Sequence, residues 1–262
     1  MRIFLLFIVV LALGGCATQF PISPDTLGDP KNANNYGYHP LDPLPVNLTI
    51  EKSKVLEAMP DETIRIAVGT VSGDGGITFG PAKLGAEGKN YVVILDYIKF
   101  GTDSFGVALT DRDSKGNRVA TLVKTSEASK ANAVVPVYIG VGLRLTANIY
   151  VKKGSVDLGS LFALGIAAKA EQVSGTLVIQ TLGVSGPEVS GLIPMPGEIS
   201  ESTIQNAILA LASIKAKMYD TKTQITPRVV GVYNNLGGGE ATINGFISSL
   251  LEQPIPFPRP AK

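Results

Sequence analysis

The longest regular pattern in the chain runs over residues 135–151. Its odd positions are Val135, Val137, Ile139, Val141, Leu143, Leu145, Ala147, Ile149 and Val151, all apolar. Between them stand Pro136, Tyr138, Gly140, Gly142, Arg144, Thr146, Asn148 and Tyr150. Successive side chains of a strand point to opposite faces, so the pattern predicts one strand with an apolar face and a polar face. Pro136 lacks an N–H and marks the strand's start or an edge. From Val137 to Val151 the strand would run about 50 Å at about 3.3 Å per residue, beyond the usual length of about 5–6 residues. Either it spans a large sheet whose core covers the odd face, or the odd face meets lipid and the polar face, with Gly140 and Gly142, lines a pore.

The next segment bears on that choice. Lys152, Lys153 and Gly154 suit a tight turn. A return strand over 155–170 would place Val156, Leu158, Phe162, Leu164, Ile166, Ala168 and Ala170 on one face, with Ser160 the exception. Such an amphipathic hairpin, contributed by several subunits, would close a barrel that one chain cannot. The same residues also read as a helix, with Asp157 as N-cap and Leu158, Leu161, Phe162 and Ile166 on one side. Dense Leu and Ala favour the helix, while Gly159 and Gly165 weaken it.

Elsewhere the pattern predicts mainly strands. Ile64, Ile66 and Val68 alternate with Arg65, Ala67 and Gly69. Residues 91–100 are rich in β-branched and aromatic side chains, and 105–110 and 118–125 flank a hairpin loop at 111–117. A helix is expected over 202–218, with Ile204, Ala207, Ile208, Leu211, Ile214 and Met218 on one face. There Ser202 and Gln205 match a capping box, and Lys215 and Lys217 suit the negative end of the dipole. A shorter helix is expected at 241–251, through Ile243, Phe246, Ile247 and Leu250, and a less regular one at 49–59. Strands and helices do not alternate strictly, so the expected fold class is α+β. It is a mostly antiparallel sheet with two to four helices packed on it, after a flexible N-terminal tether.

The tether is read from residues 17–45, which hold six prolines, several Asn, Asp and Gly, and no apolar period. The chain's only histidine, His39, falls here and is read as solvated. Residues 254–262 are Pro-rich and predict an extended tail on the body or projecting from it. This leaves residues 46–253 as a single domain.

The first sixteen residues carry the most specific signal. A basic Arg2 precedes an apolar run over 3–13, eleven residues long, too short for a spanning helix of about 20. Leu13, Gly14, Gly15 and Cys16 follow directly, and Cys16 is the only cysteine. This order resembles the signal peptide and lipobox of bacterial lipoproteins. The resemblance implies removal of residues 1–15 and lipidation of Cys16, leaving residues 16–45 as a lipidated tether. With three acyl chains at about 0.8 kcal/mol per buried methylene, anchoring would be stable. Ala17 after the cysteine implies export to the outer membrane. Partners implied are the membrane, through the lipid, and envelope proteins.

Composition then narrows the function. The whole chain carries 23 basic and 22 acidic side chains; losing Arg2 with the signal leaves 22 of each, so lipid rather than charge must hold the protein at its membrane. That balance gives no footprint for nucleic acid. One Cys and one His exclude a disulfide framework, a thiolate cluster and a multi-His metal site. Gly73–Gly76 and Gly237–Gly239 lack the Gly-Lys-Ser/Thr of a phosphate loop. The 111–117 loop begins like a calcium loop, but Lys115 takes a ligand position and Leu122 stands where a bidentate Glu is needed. Paired carboxylates stay open among 22 acids, although the absence of Trp speaks against a sugar-stacking cleft. The expectation is a non-enzymatic structural or binding module of the cell envelope, with no catalytic, cofactor or metal residues assigned and Cys16 lipidated. The alternative is a subunit of an oligomeric outer-membrane pore or secretion channel built on the 135–170 hairpin. Lipoproteins that form curli-type export channels are an architectural analogy for it.

Overall fold

The computed structural model describes residues 37–80, 84–112, 118–162, 167–236 and 240–258. The expected signal segment, Cys16 and residues 17–36 lie outside the described residues, as do 113–117 of the calcium-like loop and Gly237, Gly238 and Gly239. One antiparallel sheet dominates the rest. Its strands are β1 (Gly37–Pro45), β2 (Asp61–Val71), β3 (Ile77–Gly80), β4 (Asn90–Arg112), β5 (Arg118–Leu122), β6 (Ala133–Val151), β7 (Val173–Leu182), β8 (Gly197–Glu198) and β9 (Arg228–Asn234). The order is β1-β9-β6-β4-β2-β3. Two helices longer than one turn, α1 (Glu201–Lys217) and α2 (Glu240–Leu251), contribute to the same core. The α+β expectation holds as a sheet-dominated fold with few helices.

The axis of the fold is the pair β4 and β6, joined in register from Asn90 opposite Tyr150 to Val107 opposite Ala133. The strand expected at 137–151 starts earlier, at Ala133, and includes Pro136. Each of the two long strands has two successive outer neighbours. Beyond β6 lie β9, over Val137–Gly140, and then β7, over Gly142–Val151. Beyond β4 lie β2, over Tyr91–Phe100, and then β5, over Val107–Arg112. The neighbour of β6 changes at Gly140–Gly142. A Cβ at Gly142 would stand 1.9 Å from the Tyr97 carbonyl oxygen, and one at Gly140 2.4 Å from that of Lys99. These glycines serve a close backbone approach where the sheet divides, rather than a lumen.

All nine odd side chains from Val135 to Val151 are at most 2% exposed. They join Ile204, Ala207 and Ile214 of α1 and Ile243, Phe246 and Leu250 of α2 in one core. Full burial contributes about 1.5–3 kcal/mol for each Val, Leu or Ile, so this one face is a large part of the driving force for folding. Protein, not lipid, therefore meets the odd face in this fold. The described residues of the segment 155–170 form neither the expected helix nor a return strand, and 163–166 lie outside the described residues. Ser155–Asp157 pairs with Leu84–Ala86, and Ser160–Phe162 is a short 3-10 turn. Ala167–Gln172 is also 3-10, and the strand that returns beside β6 is β7. Val156, Leu158, Leu161 and Phe162 are buried because irregular backbone feeds them into the core, which the apolar pattern alone could not distinguish from periodicity.

Three further expectations are corrected. The last nine residues of the expected tether are β1, paired with β9. Prolines are tolerated because β1 has one ladder partner, and its register breaks between Pro40 and Leu44. The cap of α1 is Ser200, not Ser202: Ser200 Oγ accepts from Thr203 N at 3.2 Å, and Ser200 N donates to Thr203 Oγ1 at 2.8 Å. The segment 49–59 is a 3-10 turn at Lys52–Lys54 followed by turns that bury Val55 and Met59. The described part of the C-terminal tail, residues 254–258, lies on the body, and 259–262 lie outside the described residues. Pro256–Phe257 runs parallel to Asn47–Leu48, and Ile255 and Phe257 are buried.

Helix α2 has a second task. The outer edge of β5 would leave backbone groups unpaired, the usual liability of an edge strand. Thr242 Oγ1 donates to Arg118 O at 2.7 Å, and Leu122 N donates to Ser249 Oγ at 3.0 Å. Between them Gly245 lets the helix approach: a Cβ there would be 3.2 Å from Ala120 O.

Candidate functional site

The even face of β4 and β6 carries the features that the core does not explain. Register aligns Arg65 of β2, Asp96 of β4, Arg144 of β6 and Gln180 of β7 in one row across four strands. Asp96 is fully buried and Arg144 is 3% exposed. Arg144 Nε donates to Asp96 Oδ1 at 2.7 Å and Nη2 to Oδ2 at 2.6 Å, a bidentate fork. Nη1 donates to Leu41 O at 2.6 Å and Nη2 to Val230 O at 2.9 Å. The Tyr38 hydroxyl donates to Asp96 Oδ2. Three further groups, the Tyr38 hydroxyl and the Leu41 and Val230 carbonyls, thus converge on one ion pair, and it ties β1 and β9 over the face of β4 and β6. On the other flank of Asp96, the Arg65 guanidinium lies 5.0 Å from the centre of the Tyr138 ring.

The electrostatics follow from burial. Burial, then the Asp96 carboxylate, push the Tyr38 hydroxyl well above its ordinary range, so it stays a donor. Burial works against the Arg144 charge, but the bonds to Asp96 outweigh it and hold the guanidinium above its ordinary value. The pair is neutral as a unit.

Beside this pair the sheet curls into a cleft of about 550 Å³. That volume is within the range of about 300–1,000 Å³ of small-molecule sites, and the mouth of a curled sheet is a common place for one. The cleft has two different walls. Val92 and Ile94 of β4, with Ile77 and Phe79 of β3, make an apolar one. Arg144, Thr146 and Asn148 of β6, with Gln180 of β7, make a polar one. The boundary is the β4–β6 ladder itself, where Ile94 faces Thr146 and Val92 faces Asn148. Leu41 and Leu44 of β1 and Ile247 and Leu251 of α2 add apolar surface, and Asp42 and Asn244 add polar groups.

Of the residues singled out from sequence, His39 is the one moved most. It is half-buried in β1 and lines the cleft, its ring edge-on to Phe79 at 5.3 Å between centres. The solvated-tether reading is corrected, because β1 carries it into the sheet. Cys16 lies outside the described residues. The Gly73–Gly76 motif is a hairpin turn between β2 and β3, with Ser72 N donating to Gly76 O at 2.9 Å. Among the described residues no three His, Cys, Asp or Glu side chains come together as a metal site.

Sequence reasoning placed Arg144 on a polar face but missed Asp96. The signal was present: a lone acid within the mostly apolar run 91–100, and a lone base in the polar face of another long strand. Isolated opposite charges in the middle of long buried strands call for each other. Comparison with protein-family models, with curated proteins and with solved structures gives no match to this chain.

Proposed function

We propose that the protein is an envelope lipoprotein, acylated at Cys16 and held at the outer membrane by that lipid, whose folded body is a non-enzymatic binding module. The observation that carries the binding part is the two-walled cleft beside the Arg144–Asp96 pair. It has the size of a ligand site and unlike walls that orient an occupant, as specific sites do. The lipobox of residues 13–16 supports the anchor. With β1 beginning at Gly37, the spacer between lipid and body is residues 17–36, and its reach is at most about 70 Å.

Two measurements test the two parts. In a Gram-negative host, an alkyne fatty acid should label the wild-type chain in the outer-membrane fraction and leave Cys16→Ser unlabelled. Globomycin, which blocks lipoprotein signal cleavage, should retain the precursor. Processing indifferent to globomycin and to Cys16→Ser would refute the anchor. For binding, native mass spectrometry of the chain purified from envelopes should show a non-covalent adduct that Thr146→Trp, which fills the cleft, removes. The bare mass for the wild-type chain would refute the binding role.

A further inference from the structure

We infer that the cleft takes an uncharged amphiphile: an alkyl chain joined to a neutral head bearing hydroxyl and carbonyl groups, as in a monoacylglycerol. This rests on the binding reading above and names its ligand class. The argument comes from how the polar groups are already spent. Asp96 occupies Arg144 bidentately, so the one guanidinium at the buried end of the cleft has no positive charge left to offer an anion. A guanidinium has five N–H donors, and Arg144 uses four. The Tyr38 hydroxyl is a further hydrogen-bond neighbour of this guanidinium, so a side chain that lines the cleft and is 3% exposed offers an occupant no free charge.

The other charges agree. Asp42 adds a negative charge to the lining, and Arg65 sits over Tyr138 on the far side of Asp96, outside the cleft. A carboxylate or phosphate head would meet Asp42 in a lining that offers no Lys and no unpaired Arg, only the His39 imidazole that stands edge-on to Phe79. The other polar groups are amides and a hydroxyl. The Gln180 amide makes no side-chain hydrogen bond among the described residues, and Asn148 makes only a long one, Nδ2 to Thr176 Oγ1 at 3.4 Å. Both are open to hydroxyl groups. Opposite them, Val92, Ile94 and Phe79 offer a wall with no polar side-chain atom. A soluble sugar would leave that wall unused, and a plain hydrocarbon would desolvate Asn148, Gln180 and Arg144 without replacing their bonds. Only a molecule with one polar and one apolar flank matches both walls.

The test uses the mature chain, residues 16–262 with Cys16→Ser, and the neutral fluorescent probe N-phenyl-1-naphthylamine. Saturable enhancement at one site per chain is expected, and Thr146→Trp should abolish it, with circular dichroism confirming that the variant folds. 1-Monooleoylglycerol should displace the probe at least about tenfold more effectively than oleate at pH 8. Asn148→Leu and Gln180→Leu should each weaken the glyceride about five- to tenfold more than they weaken the probe. Oleate competing as well as the glyceride, or both Leu variants leaving the glyceride unaffected, would overturn the ligand class while the binding module stands. Failure of the probe, the glyceride and oleate alike to bind would overturn this inference; an adduct in native mass spectrometry would then keep the binding reading, and its absence would end that too.

Discussion

Replacing Arg144 by Met tests the description of the buried row most directly. Methionine keeps much of the stem and removes the charge. Asp96, with no exposed surface, would lose both guanidinium bonds and keep only the Tyr38 hydroxyl, while Leu41 O and Val230 O would lose their donor. Breaking one side of a buried pair costs about 3–5 kcal/mol. For a body of this size each kcal/mol lowers the melting temperature by about 2–4 °C, so a fall of about 6–20 °C is expected. Asp96→Leu should cost a similar amount, because it strands a buried guanidinium. The double variant should cost less than the sum of the singles by about 1–3 kcal/mol, since it leaves no unpaired charge. Urea unfolding followed by circular dichroism on the four proteins gives the cycle. A loss below about 1 kcal/mol for Arg144→Met, or strictly additive singles, would refute the claim that the pair is a desolvated, mutually dependent unit.

Other consequences are simpler to state. Gly142→Ala should cost about 3 kcal/mol or more, because its Cβ would meet the Tyr97 carbonyl at 1.9 Å, whereas Gly73→Ala, with nothing within 4 Å, should stay within about 0.5 kcal/mol in the same denaturation assay. Thr242→Val with Ser249→Ala should cost about 1–3 kcal/mol together and raise self-association in analytical ultracentrifugation, because the edge of β5 loses its cover; an unchanged sedimentation profile and stability would refute that role. At the surface, the Lys215 bond, then that of Tyr97, holds the Glu62 carboxyl below its ordinary value of 4.5. A depressed carboxylate stabilises the fold fully above that value, and the contribution is lost as pH falls through the folded-state value, so Glu62→Gln should flatten the acid limb of stability below about pH 4.5. An acid limb identical to wild type would show the bond to be inconsequential.

The strands were legible in the sequence wherever one face is buried and the other is not. The alternation at 135–151 identified β6, its apolar and polar faces and its unusual length, because a period of two has no other physical origin, while what covers the apolar face came only from the fold. The amphipathic runs at 202–218 and 241–251 identified both longer helices for the same reason at a period of 3.6. Where both faces are covered, or the backbone is irregular, the signal failed. Val156, Leu158, Leu161 and Phe162 are apolar because they plug the core, and hydrophobicity without a period does not name a conformation. β1 was hidden by its prolines, which an edge strand with one partner can carry. The capping box was misplaced by two residues because Ser200 and Ser202 are chemically alike, and only the path of the chain into the helix distinguishes them.

By itself the sequence determined the Leu13-Gly14-Gly15-Cys16 order that resembles a lipobox, the near-balanced charge and the two-faced strand that organises the sheet, since each is a property of composition or of neighbouring residues. Tertiary structure alone decided that Asp96 and Arg144, 48 positions apart, share one buried ion pair, that His39 belongs to a cleft, and that the polar face of β6 faces an apolar wall from β4 and β3. Those facts depend on register and on how far the sheet curls. Both are fixed by the summed packing of the whole core, which no single stretch of residues contains.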